Sequence, residues 1–238
     1  MESFNPYASP YSVAQSPADT RTEFYQKTYL HLAGAVGVFI LLEVALFSIP
    51  GIELKVLTML QGFNWLLVLG LFMGVSWVAN KWAVSDTSRS MQYAGLGLYI
   101  VAEAIIFLPI LVIATYYTGQ SGLVGQAGII TAALFAGLTF VAFTTKKDFS
   151  FLGGVLKISF FVALGLIVAS MFMGFNLGLW FSGAMVLIAG CSILYQTSNI
   201  IHQFRPDQYV AASLGLFASV ALLFWYVLQI LMSLSNND

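Results

Sequence analysis

Met91-Gln-Tyr-Ala-Gly-Leu-Gly-Leu-Tyr-Ile-Val-Ala-Glu-Ala-Ile-Ile-Phe-Leu-Pro-Ile-Leu-Val-Ile-Ala-Thr-Tyr116 carries one charged side chain, Glu103, near its middle. A helix needs about 20 mainly apolar residues to cross a hydrocarbon core of about 30 Å. Peptide groups in that core must find partners within the segment, which makes the run a helix. A barrel strand would be only about 10 residues long and would alternate in polarity. The stretch therefore predicts a membrane-crossing helix with a carboxyl at membrane depth.

Six more runs share this character. With the first they are Thr28–Ile49, Phe63–Asn80, Met91–Tyr116, Val124–Thr144, Leu152–Phe175, Leu179–Ile200 and Tyr209–Leu234. The composition agrees, since 59% of residues are hydrophobic and 8% charged, against about 25% charged in a soluble domain. So little charge could not cover a water-soluble surface. The predicted fold is all-α with seven transmembrane helices and short connections between antiparallel neighbours. One transmembrane domain, residues 28–234, is expected, flanked by a cytosolic tail (1–27) and a short external tail (235–238).

Orientation follows from lysine and arginine placement. Arg21, Lys27, Lys81, Arg89, Lys146, Lys147, Lys157 and Arg205 fall on one side of the alternation, and only Lys55 on the other. This predicts a cytoplasmic N-terminus and an external C-terminus in a multi-pass inner (cytoplasmic) membrane protein. Residues 1–27, with Pro6, Pro10 and Pro17, contain no apolar run or cleavage-like site. They read as a disordered tail rather than a signal peptide, or as a handle for a partner.

Charge at membrane depth costs about 2.5–3.5 kcal/mol or more, so intramembrane carboxylates are functional candidates. Glu103 is too deep to reach the interface. It is expected to face the bundle interior, as a satisfied structural carboxyl or as a proton- or cation-responsive group. Glu43 lies about two turns from the outer end of the first helix, where snorkelling is an alternative to function. Pro109 removes a helix hydrogen bond and predicts a bend beyond Glu103. His31 and His202 fall near the cytoplasmic interface, where an incidental role competes with pH sensing. Gln196, Thr197, Ser198, Asn199, Ser213 and Ser219 are expected to hydrogen-bond between helices. Gly70 and Gly74 form a G-x-x-x-G pair that would permit close helix approach within the chain.

Two histidines and one cysteine, Cys191, cannot build a conventional zinc site or an intramolecular disulfide. No H-E-x-x-H, nucleophile elbow or Walker A loop occurs. No catalytic residues, metal or cofactor are expected, and the net charge of −1 gives no sign of nucleic-acid binding.

Two segments look familiar. One is Thr144-Thr-Lys-Lys-Asp-Phe-Ser-Phe-Leu-Gly-Gly154. The other is Tyr195-Gln-Thr-Ser-Asn-Ile-Ile-His202, followed by Tyr209-Val-Ala-Ala-Ser-Leu-Gly-Leu-Phe217. In the first, Lys146 and Lys147 would complement a helix C-terminus. Asp148 or Ser150 would cap the next helix, and Gly153 and Gly154 would allow tight packing. Together the segments resemble the Bax-inhibitor family of seven-helix membrane proteins, and most closely its bacterial YccA-like branch, over residues 25–234.

The resemblance implies a central last helix wrapped by the other six. It marks Lys146, Lys147, Asp148, Asn199 and His202 as motif positions at cytoplasmic turns. In the calcium-leak members of the family, two aspartates on the last two helices sense pH and gate a cation path. Here those positions correspond to Gln196 and Ser219, so that gate is absent and Glu103 could replace it only in a different geometry. The YccA-like branch implies instead a non-enzymatic binding partner of the membrane AAA+ protease FtsH and its associated membrane proteins. The two expectations are therefore a modulator of membrane-protein quality control, with the bilayer and FtsH as partners, and a pH-sensitive calcium or cation leak channel or proton-linked transporter.

Overall fold

With no water to take up peptide hydrogen bonds, each predicted apolar run folds as a helix. A computed structural model describes residues 12–61, 64–85, 88–120, 122–145 and 147–235. Pro6, Pro10, Lys146 and Asn236–Asp238 lie outside the described residues. The helices are α1 (Ala18–Phe47), α2 (Ile52–Leu60), α3 (Asn64–Ala83), α4 (Arg89–Val112), α5 (Leu123–Thr145), α6 (Leu152–Met173), α7 (Gly178–His202) and α8 (Tyr209–Ser235). A π-helical turn, Ile113–Tyr117, prolongs α4 beyond Pro109. Seven of these helices are long and apolar enough to cross a membrane, all except the nine-residue α2.

The first helix starts well before Thr28, which corrects the expectation of a disordered tail as far as residue 27. Phe24, Thr28, Leu32 and Ala35 recur at helical spacing and are buried, and Glu23 pairs with Lys27 one turn on at 2.6 Å. This opening is amphipathic rather than apolar, so hydropathy alone passes over it. Phe24 is 1% exposed, and Tyr25 meets Phe143 of α5 edge-on at 5.5 Å. Ahead of it, Val13 is fully buried and its N–H donates to the Phe204 carbonyl at 2.8 Å. The segment from Ser12 to Ser16 is thus fastened where α7 runs toward α8.

The α2 helix is too short to span. It lies over the end of α4, with Ile52 and Val56 packed on Leu108 and Val112. At the end of α6, Gly174 adopts φ +71° and its N–H returns to the Ser170 carbonyl. The left-handed conformation that glycine tolerates stops the helix before Phe175.

The last helix is central, packing against α1, α3, α4, α5 and α7. The third span, α4, shares the centre: Gly95, Tyr99, Glu103, Phe107 and Leu111 are among its many buried residues. By contrast α6 leans on α7 and buries only Ala163. The wrapping is therefore uneven, with two inner helices and α6 at the periphery.

Association of helices in lipid depends on close packing of small residues, because lipid tails are as apolar as leucine. The G-x-x-x-G pair does not provide it here. A Cβ on Gly70 or Gly74 would meet nothing within 4 Å. The close approach is at Gly95 of α4, where a Cβ would stand 2.5 Å from the Ala79 carbonyl and 2.7 Å from the Ala83 nitrogen. Both obstacles are backbone, so α3 would have to move away. Substituting Gly95→Val is expected to destabilise the protein by about 2–4 kcal/mol. Gly70→Ala and Gly74→Ala should stay within about 0.5 kcal/mol. Thermal unfolding of the detergent-solubilised variants, followed by size exclusion, checks both.

Candidate functional site

Polar residues at helical spacing share a face, and here three such faces converge. On α4, Tyr99 and Glu103 are one turn apart. On α7 the pair is Ser192 and Gln196, and on α8 it is Gly215 and Ser219. All six line one cavity of about 930 Å³, bounded by Trp65, Leu69 and Phe72 of α3 and by Phe181 near the start of α7.

Glu103 is 5% exposed and lies one turn from Tyr99, which lines the same cavity. No lysine, arginine or histidine is among the lining residues. The carboxyl therefore reaches the cavity without a basic counterpart on its walls.

Ser219 Oγ donates to the Gly215 carbonyl at 3.0 Å and lies 2.7 Å from Ser192 Oγ. A hydroxyl has a single proton, so Ser192 is the donor between the two serines. Gln196 lies against Gly215, where a Cβ would be 2.8 Å from its Oε1. Lower in the same space Ser182 Oγ donates to Gln229 Oε1 at 3.0 Å. Interhelical bonds of this kind average about 0.6 kcal/mol in membranes. They are too weak to hold α7 on α8 against the packing, so these groups can exchange partners with whatever enters.

A second, smaller space of about 460 Å³ lies between α6 and α7, with Gly153, Lys157, Phe160 and Tyr195 on its walls. Ser192 and Gln196 line both spaces. These two side chains thus stand between the central cavity and the groove that leads toward the α5–α6 turn.

The predicted candidates divide accordingly. Glu103, Gln196 and Ser219 come together in one cavity, although they are far apart in sequence. Glu43 does not join them. It is 7% exposed, and neither carboxyl oxygen has a hydrogen-bond partner among the described residues. It lies one turn from Phe39 and from Phe47, which pack on Phe107 and Tyr116. That places it in the seam between α1 and the third span, buried against the bundle. The sequence reading missed Tyr99, Ser192, Ser182 and Gln229. For Tyr99 and Ser192 the signal was one-turn spacing from Glu103 and Gln196, whereas Ser182 and Gln229 meet only through the packing of α7 on α8.

The motif positions gather at the opposite, lysine-bearing end. Asp148 accepts from Ser150 N at 2.8 Å, from the Ser150 hydroxyl, and from Ser198 Oγ at 3.1 Å. Phe149 N donates to Ser198 Oγ at 2.9 Å, and Gln203 Nε2 to Ser150 Oγ at 2.7 Å. The expected cap is corrected in this respect, since Phe151 occupies the N-cap of α6 and receives no side-chain bond. Asp148 shapes the turn itself and ties it to α7. Asn199 ends α7 by its carbonyl, which accepts from Gln203 N at 2.8 Å and Phe204 N at 3.0 Å. His202 is close enough for its charge to act on Asp148, and Lys147 is exposed. Gly153 meets the Tyr195 ring, whereas Gly154 has open space. His31 bridges the Lys27 carbonyl (2.6 Å) and the Tyr93 hydroxyl (2.9 Å), joining α1 to α4. Among the described residues no three His, Cys, Asp or Glu side chains are arranged to hold a metal.

Comparison with known proteins adds three findings. The family described as "Inhibitor of apoptosis-promoting Bax1" matches residues 21–237. An uncharacterized protein of Pseudomonas aeruginosa is 32% identical over 70% of this chain and 71% of its own length. Bax inhibitor 1 of Schizosaccharomyces pombe is 29% identical over 95% of this chain and 82% of its own.

The turn offers a pH test. Burial, the largest influence on the Asp148 carboxyl, pushes its pKa up, but the bonds from Ser150 and Ser198 and the charge of His202 bring it below the ordinary value. The unfolded chain then binds the proton more tightly, so stability rises with pH. The contribution is complete above about 3.9, the ordinary aspartate value, and is lost as pH falls through the lowered folded value. Acid unfolding of solubilised protein should contain this component, and Asp148→Asn should remove it.

Proposed function

This chain belongs to the Bax-inhibitor family of multi-pass membrane proteins, and from that premise we propose that it is a proton- or cation-responsive conduit whose working group is Glu103. The observation carrying this reading is the cavity that joins Glu103 to Gln196 and Ser219 across α4, α7 and α8. In the calcium-leak members of the family that the sequence resembles, a titrating pair stands at the positions of Gln196 and Ser219. An amide and a hydroxyl do not titrate, so Glu103 takes over the ionisable role from another helix. Protons suit this lining better than calcium, which asks for six to eight oxygens at about 2.3–2.6 Å. The walls offer a single carboxylate to balance a divalent charge, and their other side-chain oxygens are neutral.

Lys157 lines the smaller space beyond Ser192 and Gln196, and it opposes passage of a bare cation by like charge. A hydrated proton path through hydroxyls and amides is less affected. The orientation proposed remains that of the charge distribution, with the N-terminus cytoplasmic in a bacterial inner membrane.

A second reading is that of a non-enzymatic partner and slow substrate of FtsH. One observation supports its slowness: Val13 is buried and bonded to Phe204, so a pull on the N-terminus must first undock that segment from the end of α7.

Two measurements separate the readings. In liposomes the unmutated protein is expected to pass protons, and Glu103→Gln to cut the rate at least tenfold and flatten its pH profile. No flux from the unmutated protein would sink the conduit. In protease-competent cells, deleting residues 2–11 should lengthen the half-life, and Val13→Asp should shorten it; unchanged half-lives count against the FtsH role.

A further inference from the structure

The central cavity has features that a proton path alone does not require. At about 930 Å³ it is at the upper end of ligand pockets, about 300–1,000 Å³. It lies between two helix pairs, α3 on α4 and α6 on α7, with α8 as its floor. Trp65, Phe72, Phe107, Phe181, Trp225 and Tyr226 contribute aromatic side chains to its walls. Set among them is a single carboxyl, Glu103, one turn from Tyr99 and without a basic residue in the lining.

Each feature restricts the occupant. The aromatic and aliphatic walls select an apolar body. An uncompensated carboxyl at membrane depth is costly, and an anion would worsen that cost. A divalent metal would find one carboxylate on the walls, the other side-chain oxygens being neutral, and no three His, Cys, Asp or Glu side chains among the described residues are arranged to hold it. A neutral lipid chain would satisfy the walls and leave the carboxyl as it is. A cation with an apolar shell satisfies both, because it pairs with the carboxylate and lays its positive surface against aromatic faces, an attraction that strengthens when the groups are desolvated. Ser192, Ser219 and Gln196 then supply neutral acceptors around the charge.

We propose that this cavity is a binding site for a lipophilic organic cation, received from the bilayer between α3 and α6, with Glu103 as its counter-ion and Trp65, Phe72 and Phe107 as its aromatic wall. The inference rests on the reading of Glu103 as the working group of the cavity and adds the class of molecule that the group accepts.

Tetraphenylphosphonium and tetraphenylborate have nearly the same shape and opposite charge, which makes them the decisive pair of probes. Equilibrium dialysis against full-length protein in nanodiscs should give saturable binding of tetraphenylphosphonium at one site per chain, with no competition from tetraphenylborate. Glu103→Gln should weaken binding at least tenfold, while Glu103→Asp should stay within about threefold of the unmutated protein. Glu103→Asp also guards against misfolding, since it keeps the charge in a slightly changed site. Equal binding of the anion, or binding indifferent to Glu103→Gln, would overturn the proposal. So would the absence of saturable binding. The readout involves no flux, so binding without proton passage would sink the conduit and leave this site standing, and passage without binding would do the reverse.

Discussion

Hydrocarbon offers a peptide group no partner, and that single deficiency governs this molecule. Each unsatisfied N–H or C=O at membrane depth costs several kcal/mol, so the apolar runs become helices before any question of packing arises. Where the constraint relaxes, at the ends of the bundle, the chain departs from simple spans. The short α2 helix lies over Leu108 and Val112, and Ser12–Ser16 fastens to the carbonyl of Phe204 through Val13.

Packing the helices is a separate problem, because lipid supplies no hydrophobic drive for one helix to leave it for another. Contact must come from shape. Gly95 lets α4 approach the backbone of α3 at Ala79 and Ala83, and Gly215 makes room for Gln196 between α7 and α8. The resulting centre has two helices, α4 and α8, rather than one. With α3 drawn onto α4 and α6 resting on α7, a gap is left over α8, and the polar faces of α4, α7 and α8 open into it.

The chemistry of that gap is set by an imbalance. Its walls hold one carboxyl and no base, while the serines and glutamines that share them do not titrate. Neutral groups are inexpensive to bury and can exchange hydrogen bonds at about 0.6 kcal/mol each, whereas an unpaired acid costs several times that. Glu103 is therefore the residue on which any charge-dependent behaviour of the cavity converges. Glu43 is equally buried but has aromatic neighbours and no access to the cavity, a difference that two similar intramembrane glutamates conceal in the sequence.

The run of apolar residues around Glu103, and six others like it, determined the number of membrane-crossing helices and most of their ends, since hydropathy directly measures the cost of unpaired backbone in lipid. The Thr144–Gly154 and Tyr195–His202 segments likewise sufficed to recognise the family. What the sequence could not determine depended on distances between helices. An amphipathic start to α1 has no hydropathy signal, so its docking through Phe24 emerged only in the folded bundle. The spacing of Gly70 and Gly74 suggested a contact that Gly95 makes instead, because a glycine is useful only where another backbone arrives. Glu103, Gln196 and Ser219 lie on three separate helices, and only tertiary packing, which left α3 and α6 apart above α8, made them walls of one cavity.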